Sequence, residues 1–282
     1  MMYGYGILNN HVPTLRATVM GGVAITDTDV LAFISAASIT NTTQKSAINK
    51  LVTDLKTASI WTKMKAIYPF VGGTASQHKF NLKDPRDLNV AYRLQFVNGW
   101  THSANGVTPN GTDGYADTNL IPFVGLTTNN FHLSHYSRTQ ITSTNSHDMG
   151  AEQGAPYGYS CDLYQYYNGV SAKGFLDGAY PQDASQVNNT NTLGLLIGTR
   201  TANNNQKTYF NGTLQNTNTN TKTIALPSYP IYIGATNRDL VATSLSTKQS
   251  AFASIGDGLT DAEALALYNA VNTYQIKLSR NV

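Results

Sequence analysis

Carboxylate chemistry is limited from the start, because the chain has only two glutamates in 282 residues. Glu263 closes Thr260-Asp261-Ala262-Glu263, a capping-box pattern that gives it a structural task at a helix start. Glu152, in HDMGAEQGAPYGY, is left, with Asp148 four residues before it. Hydrolysis of a glycosidic bond needs two carboxyl groups at fixed separation. Asp148 and Glu152 form such a pair in composition, but carboxylates on a loop with no strand frame read as solvated charges. No catalytic residue is assigned, and the expectation is a protein that is not an enzyme.

Other reactive types are no better placed. His132 and His135 stand three apart in FHLSHYS, and the two-residue period of a strand puts them on opposite faces. His11, His78, His102 and His147 are scattered. No close His/Cys pair suggests zinc, and the G-x-S-x-G nucleophile turn is missing. Cys161 alternates with Tyr159 and Leu163 and reads as a small buried apolar residue. Asp113 and Asp117 in NGTDGYAD could serve calcium, which collects six to eight oxygens; the same residues also suit a plain turn.

Aromatic residues offer recognition rather than reaction. In YGYSCDLYQYYNG, alternation puts Tyr157, Tyr159, Cys161, Leu163 and Tyr167 on one face, the core side. Tyr164 and Tyr166 fall on the other with Ser160 and Asp162. A candidate glycan site follows: Tyr164 and Tyr166 stacking on a sugar ring, with Asp162 and the Asn203-Asn204-Asn205 loop supplying hydrogen bonds. The competing occupant of that face is protein, either the helical region or a neighbouring subunit.

Composition narrows the partners. Charged residues are 12% of the chain, against roughly 25% in ordinary soluble proteins. With a net charge of +3 and no Lys/Arg cluster, nucleic acid is not expected. No apolar run approaches the roughly 20 residues of a membrane span. The start, MMYGYGILNNHVPTL, has no basic region followed by an apolar core, so no signal peptide is read. One cysteine excludes an internal disulfide framework, which fits synthesis in a reducing cytoplasm.

The elements that must position these residues divide the chain in three. Residues 1–24 read as an extended N-terminal arm; Ile7, Leu8, Val12, Leu15, Val19 and Met20 are its candidate attachment residues, having no local apolar face to bury them. Residues 25–87 read as a small helical region. Thr26 with Asp29, and Asn41 with Gln44, are cap signals, and Ile48, Leu51, Val52 and Leu55 make a helical stripe. A third helix is expected in IWTKMKAIYPF. Residues 88–282 alternate as short strands separated by Gly, Asn and Pro clusters, the pattern of a sandwich or jelly roll. Asn211-Gly212 predicts a two-residue type I′ hairpin turn pairing Tyr209 with Leu214 and Phe210 with Thr213. One helix ends the chain, with Leu267, Val271, Tyr274 and Leu278 as its apolar stripe.

TYFNGTLQ and YPIYIGATN resemble the late strands of the concanavalin A-like, laminin-G-like sandwich. IGDGLTDAEALALYNAVNTYQIKLSRNV is similar to the closing segment of such domains in bacteriophage virion proteins. WTHSANGVTPNGTDGYADT resembles their opening strand and loop, and TQKSAINKLVTDLKTASIWTKMKAIYPFVGG the helical preface before them. The resemblance covers roughly residues 26 to 282. It implies a mainly β, antiparallel concanavalin A-like sandwich with an arm, a helical preface and a C-terminal helix. The E-x-D-x-(x)-E motif of hydrolases on this sandwich is absent. The resemblance further implies a virion structural protein, a head fibre or decoration protein held by its arm to other virion proteins, with a homotrimer expected. A tail-associated receptor-binding protein for host glycans is the alternative, and a glycan hydrolase the remote one. No cofactor is expected beyond the calcium considered above.

Overall fold

A computed structural model of the chain describes residues 19–20, 23–141, 145–154, 158–167, 172–177, 184–188, 190–222 and 225–282. Ile7, Leu8, Val12 and Leu15 of the arm lie outside the described residues, as does Tyr157. The Val19–Met20 and Val23–Ala24 strands pair with each other.

The protein is a mainly β sandwich of two sheets, with helices forming a third layer. Among the described residues one sheet has nine strands, seven running from Ala184–Asn188 through Ala172–Leu176, Tyr159–Tyr167, Met149–Gln153, Tyr232–Ile233 and Tyr115–Asp117 to Gln95–Val97, with Thr236–Arg238 and Val241–Thr243 paired off this path. The other has eight, seven from Thr213–Asn218 through Asn205–Phe210, Gly194–Ala202, Phe131–Ser137, Ser250–Gly256 and Gly106–Pro109 to Trp100–Ser103, with Met64–Tyr68 paired to Ser250–Gly256 off this path.

Two cores account for the layering. Between the sheets, Leu133, Phe131, Ala253 and Ile255 of the eight-stranded sheet meet Met149, Leu163, Phe175 and Ile233 of the nine-stranded one. Behind the eight-stranded sheet, Tyr136, Leu195, Ile197 and Phe252 meet Val30, Phe33, Leu51, Val52 and Leu55 of the N-terminal helices and Leu267 and Val271 of the last helix. The eight-stranded sheet is therefore covered on both faces. That is why its Leu195-Leu196-Ile197 run is apolar without alternation. Each fully buried Leu or Val contributes about 1.5–3 kcal/mol, so Leu51→Ala alone would cost about 2–5 kcal/mol.

Most local signals hold. The Thr42–Thr57 helix starts at Asn41, whose side chain accepts from the Gln44 N–H at 3.0 Å. The Asp261–Lys277 helix has the full Thr260/Glu263 capping box. Asn211 and Gly212 take φ of 47° and 78°, and their hairpin pairs Tyr209 with Leu214 and Phe210 with Thr213. Two details differ. The first helix, Thr28–Ala36, is capped by Asp27 rather than Thr26, with the Asp27 carboxylate accepting from the Asp29 and Val30 N–H groups. The expected third helix is a single turn, Trp61–Lys63, followed by the strand Met64–Tyr68, which pairs with Ser250–Gly256. Five residues are too few for periodicity to separate strand from helix, and an open edge of the sheet decides it. No helix among the described residues is long and apolar enough to cross a membrane.

Candidate functional site

The nine-stranded sheet has one face on the core and one facing away from the rest of the sandwich. Alternation in Tyr159–Tyr167 sends Cys161 and Leu163 into the core and Ser160, Asp162, Tyr164 and Tyr166 outward. In the neighbouring strand Met149 and Ala151 point inward, which turns Gly150 and Glu152 outward. Tyr232 lies opposite Gly150, with Ile231 and Ile233 in the core. The short Thr236–Arg238 strand runs parallel beside Gly150–Glu152 and adds Thr236 and Arg238 to the same face.

These side chains converge. Thr236 Oγ1 donates to Asp162 Oδ1 at 2.5 Å and lies 2.6 Å from His147 Nδ1. His147 Nδ1 is itself 3.3 Å from Asp162 Oδ1. Arg238 Nε donates to Glu152 Oε2 at 2.5 Å. One ligand-type atom from each of His147, Glu152 and Asp162 lies within 4.8 Å of the other two. Gly150 makes the arrangement sterically feasible, since a Cβ there would collide with the Asp162 carboxylate. The His147 ring stacks on Tyr164 at 5.3 Å, and Tyr164 Oη donates to Gln186 Oε1 at 2.9 Å. Across Gly150, Tyr232 stacks on half-buried Tyr115 at 4.3 Å, with Asp117 beside them on the same face.

Burial controls the electrostatics. The Asp162 carboxyl is pushed up to about 6, first by burial and then by the Glu152 charge, against the opposing pull of His147 and Thr236. Asp117 is also raised, by burial. The Arg238 side chain is 31% exposed while that of Glu152 is buried, so the cluster opens outward through its guanidinium.

A second polar cluster lies on the other side of the same strand. Lys248 Nζ is 3.1 Å from Asp148 Oδ1 and donates to Ser146 Oγ at 2.7 Å. Asp148 Oδ2 accepts from the Gln165 N–H at 2.5 Å. His135 Nε2 is 2.6 Å from Ser250 Oγ, and its Nδ1 is 3.9 Å from Asp148 Oδ1. Serine, histidine and aspartate are the residue types of acyl transfer, yet Ser250 is 2% exposed and Lys248 already neutralises Asp148. Burial also holds His135 below its ordinary value. This cluster ties the two sheets together.

The sequence expectations divide accordingly. Tyr164, Tyr166 and Asp162 do share a face, but 2%, 6% and 0% exposure make the tyrosines packing groups rather than an open sugar platform. Tyr159, expected in the core, is 39% exposed. Asn203, Asn204 and Asn205 join two strands of the other sheet, and the Asn203 carbonyl accepts from Arg200 Nη1 and the Lys222 N–H. They are not brought to the Tyr164 face. Asp148 and Glu152 are not a pair either, because a bend at Asp148 breaks the alternation and sends its carboxylate between the sheets. Asp113 and Asp117 flank the Tyr115–Asp117 strand at opposite ends, and each caps a local turn, Asp113 through Asn110 and Asp117 through the Asn119 N–H. They do not form one calcium site. His147, Thr236, Arg238 and Tyr115 were missed. Gly150 with Glu152 at strand spacing was the one local sign that a side chain from the next strand crosses there.

No family model and no curated protein matches the chain. Solved structures do share the fold. Domain 4 of AbnA, an extracellular GH43 arabinanase from Geobacillus stearothermophilus, solved with arabinotriose, aligns with a TM-score of 0.50 at 13% identity, over 73% of this chain and 98% of that domain. A mutant Trypanosoma rangeli sialidase displaying trans-sialidase activity aligns with a TM-score of 0.51 at 16% identity, over 79% of this chain. The chain spans only 39% of that sialidase's length. Likeness at such identity shows the sandwich fold. It also corrects the virion structural role expected from the sequence, because these two structures are an arabinanase domain and a sialidase, both carbohydrate-active proteins. The short segments that carried the resemblance describe strand, turn and cap chemistry common to many sandwiches, so they could not identify a biological setting.

Proposed function

We propose that the protein is a non-catalytic carbohydrate-binding protein that takes a neutral glycan on the outer face of its nine-stranded sheet. The observation that carries this reading is the convergence of Glu152, Arg238, Asp162, His147 and Thr236 on the face opposite the inter-sheet core, where Arg238 is partly exposed. The partly exposed Arg238 guanidinium can donate to sugar hydroxyls, and half-buried Tyr115 offers a ring on the same sheet face. Three carboxyl groups, of Asp117, Glu152 and Asp162, against the single guanidinium of Arg238 disfavour acidic sugars. The fold shared with an arabinanase domain crystallised with arabinotriose supports a neutral oligosaccharide as the first probe.

Hydrolysis is the second reading, favoured by the raised carboxyl of Asp162 next to Glu152. Against it, Asp162 has no exposed surface and Glu152 is held by Arg238, so neither projects toward a substrate. A glycan array followed by calorimetry tests binding. Neutral oligosaccharides should bind and sialylated ones should not. Arg238→Ala and Tyr115→Ala should each weaken binding at least about tenfold, worth roughly 1.4 kcal/mol. Reducing-sugar release from the bound oligosaccharide would replace binding with hydrolysis, and an empty array would end both readings.

A further inference from the structure

The outer cluster contains more negative charge than its described partners balance. Asp162 and Glu152 are both buried, at 0% and 4% exposure. Arg238 compensates Glu152 through Oε2. Asp162 receives only the neutral Thr236 hydroxyl and the His147 ring, both at Oδ1. Its second oxygen, Oδ2, is buried with no hydrogen-bond partner. An unpartnered oxygen on a buried carboxylate is costly, so native structures rarely carry one without a reason. The glycine opposite keeps the space around this carboxylate clear.

We propose that His147, Glu152 and Asp162 bind a first-row divalent cation, of the zinc or manganese type. One imidazole and two carboxylates are borderline and hard donors together, the mixture that suits these ions. Their ligand atoms already lie within 4.8 Å of one another. Donors about 2.0–2.2 Å from a shared tetrahedral ion stand roughly 3.5 Å apart, so the three need to close by about 1 Å. Thr236, joining His147 to Asp162, holds both side chains in place, the outer-shell function that tunes metal sites. The ion would supply the positive charge that Asp162 lacks among its partners. The proposal uses the same cluster as the glycan reading but does not need a glycan, and the two can fail separately.

The test uses the full chain, stripped with a chelator and titrated with zinc and, separately, manganese, with no sugar present. About one ion per chain should bind, as read by calorimetry and by elemental analysis after desalting. Asp162→Asn and Glu152→Gln should each weaken binding at least about tenfold, with the far-ultraviolet circular dichroism of each variant unchanged. Asp113→Asn should bind like the parent. Failure of both metals to bind the stripped parent overturns the proposal, as does binding that persists in folded Asp162→Asn or Glu152→Gln. Glycan binding that survives the chelator while no metal binds would defeat the cation site alone and leave the carbohydrate reading standing.

Discussion

His147 and Asp148 are neighbours in sequence and lie on opposite sides of one sheet. Asp148 faces inward to Lys248, with Ser146, Gln165, His135 and Ser250 around it. His147 faces outward to Thr236 and Asp162. The inner cluster pairs its one carboxylate with one ammonium and is sealed between two sheets. The outer one keeps an unpartnered Asp162 oxygen and a partly exposed Arg238. A carboxylate buried for stability finds its counter-charge inside the fold; one held for recognition keeps capacity for a ligand. The presence of ionisable residues does not separate these cases, since both clusters contain aspartate and histidine. The counter-charge does: Lys248 meets Asp148, whereas Asp162 has no lysine or arginine ion-paired to it among the described residues.

The largest expected effect tests the inner half of that contrast. Asp148→Ala would leave Lys248 as an unpaired buried cation and should cost about 3–5 kcal/mol in urea unfolding. The double variant Asp148→Ala/Lys248→Met should recover part of the loss. If Asp148→Ala costs no more than Asp162→Ala, the two clusters do not differ in the way described.

Acid should reveal the interior next. Burial lowers His132 to about 4 and His78 to about 3. Each is neutral in the fold and protonates near its ordinary value of about 6.5 once unfolded. The unfolded chain therefore binds more protons below that value. Stability is full above pH ~6.5, falls as the pH drops toward about 4, and for His132 amounts to about 3 kcal/mol over that window. His132→Gln should flatten the curve of urea midpoint against pH. A midpoint constant from pH 7 to pH 4 in the parent would contradict it.

The smallest effect sharpens the outer half. Tyr164→Phe removes the bond to Gln186 and keeps the stacking on His147, so it should cost about 1 kcal/mol of stability. Sugar affinity should stay within about twofold of the parent, because Tyr164 packs rather than binds. A loss of affinity comparable to that of Arg238→Ala would return Tyr164 to the recognition surface.

Much of the scaffold was legible because its signals are local. Asn211-Gly212 specifies a hairpin and its register, and Asn41 and Thr260 specify helix starts, since each acts within four residues of itself. Alternation correctly put Tyr164, Tyr166 and Asp162 on one face. It could not say that the face would be packed, because packing depends on residues such as His147 and Gln186 that arrive from other strands. Pairing Asp148 with Glu152 failed for a similar reason. Strict alternation puts both on one side, and a bend at Asp148 reverses it.

The amino-acid sequence by itself determined the mainly β class, the turns and caps, the apolar stripes of two helices and the scarcity of carboxylates. These follow from backbone sterics and short-range periodicity, which a linear chain carries in full. Only the tertiary structure decided that the helices cover the eight-stranded sheet and that Met64–Tyr68 joins it. The tertiary structure alone also brought Glu152, Asp162, Thr236 and Arg238 onto one outer face with His147. Those contacts span up to 89 residues of chain between His147 and Thr236. They form because sheet pairing and core burial hold the strands in one register, which no local signal in any of these segments encodes.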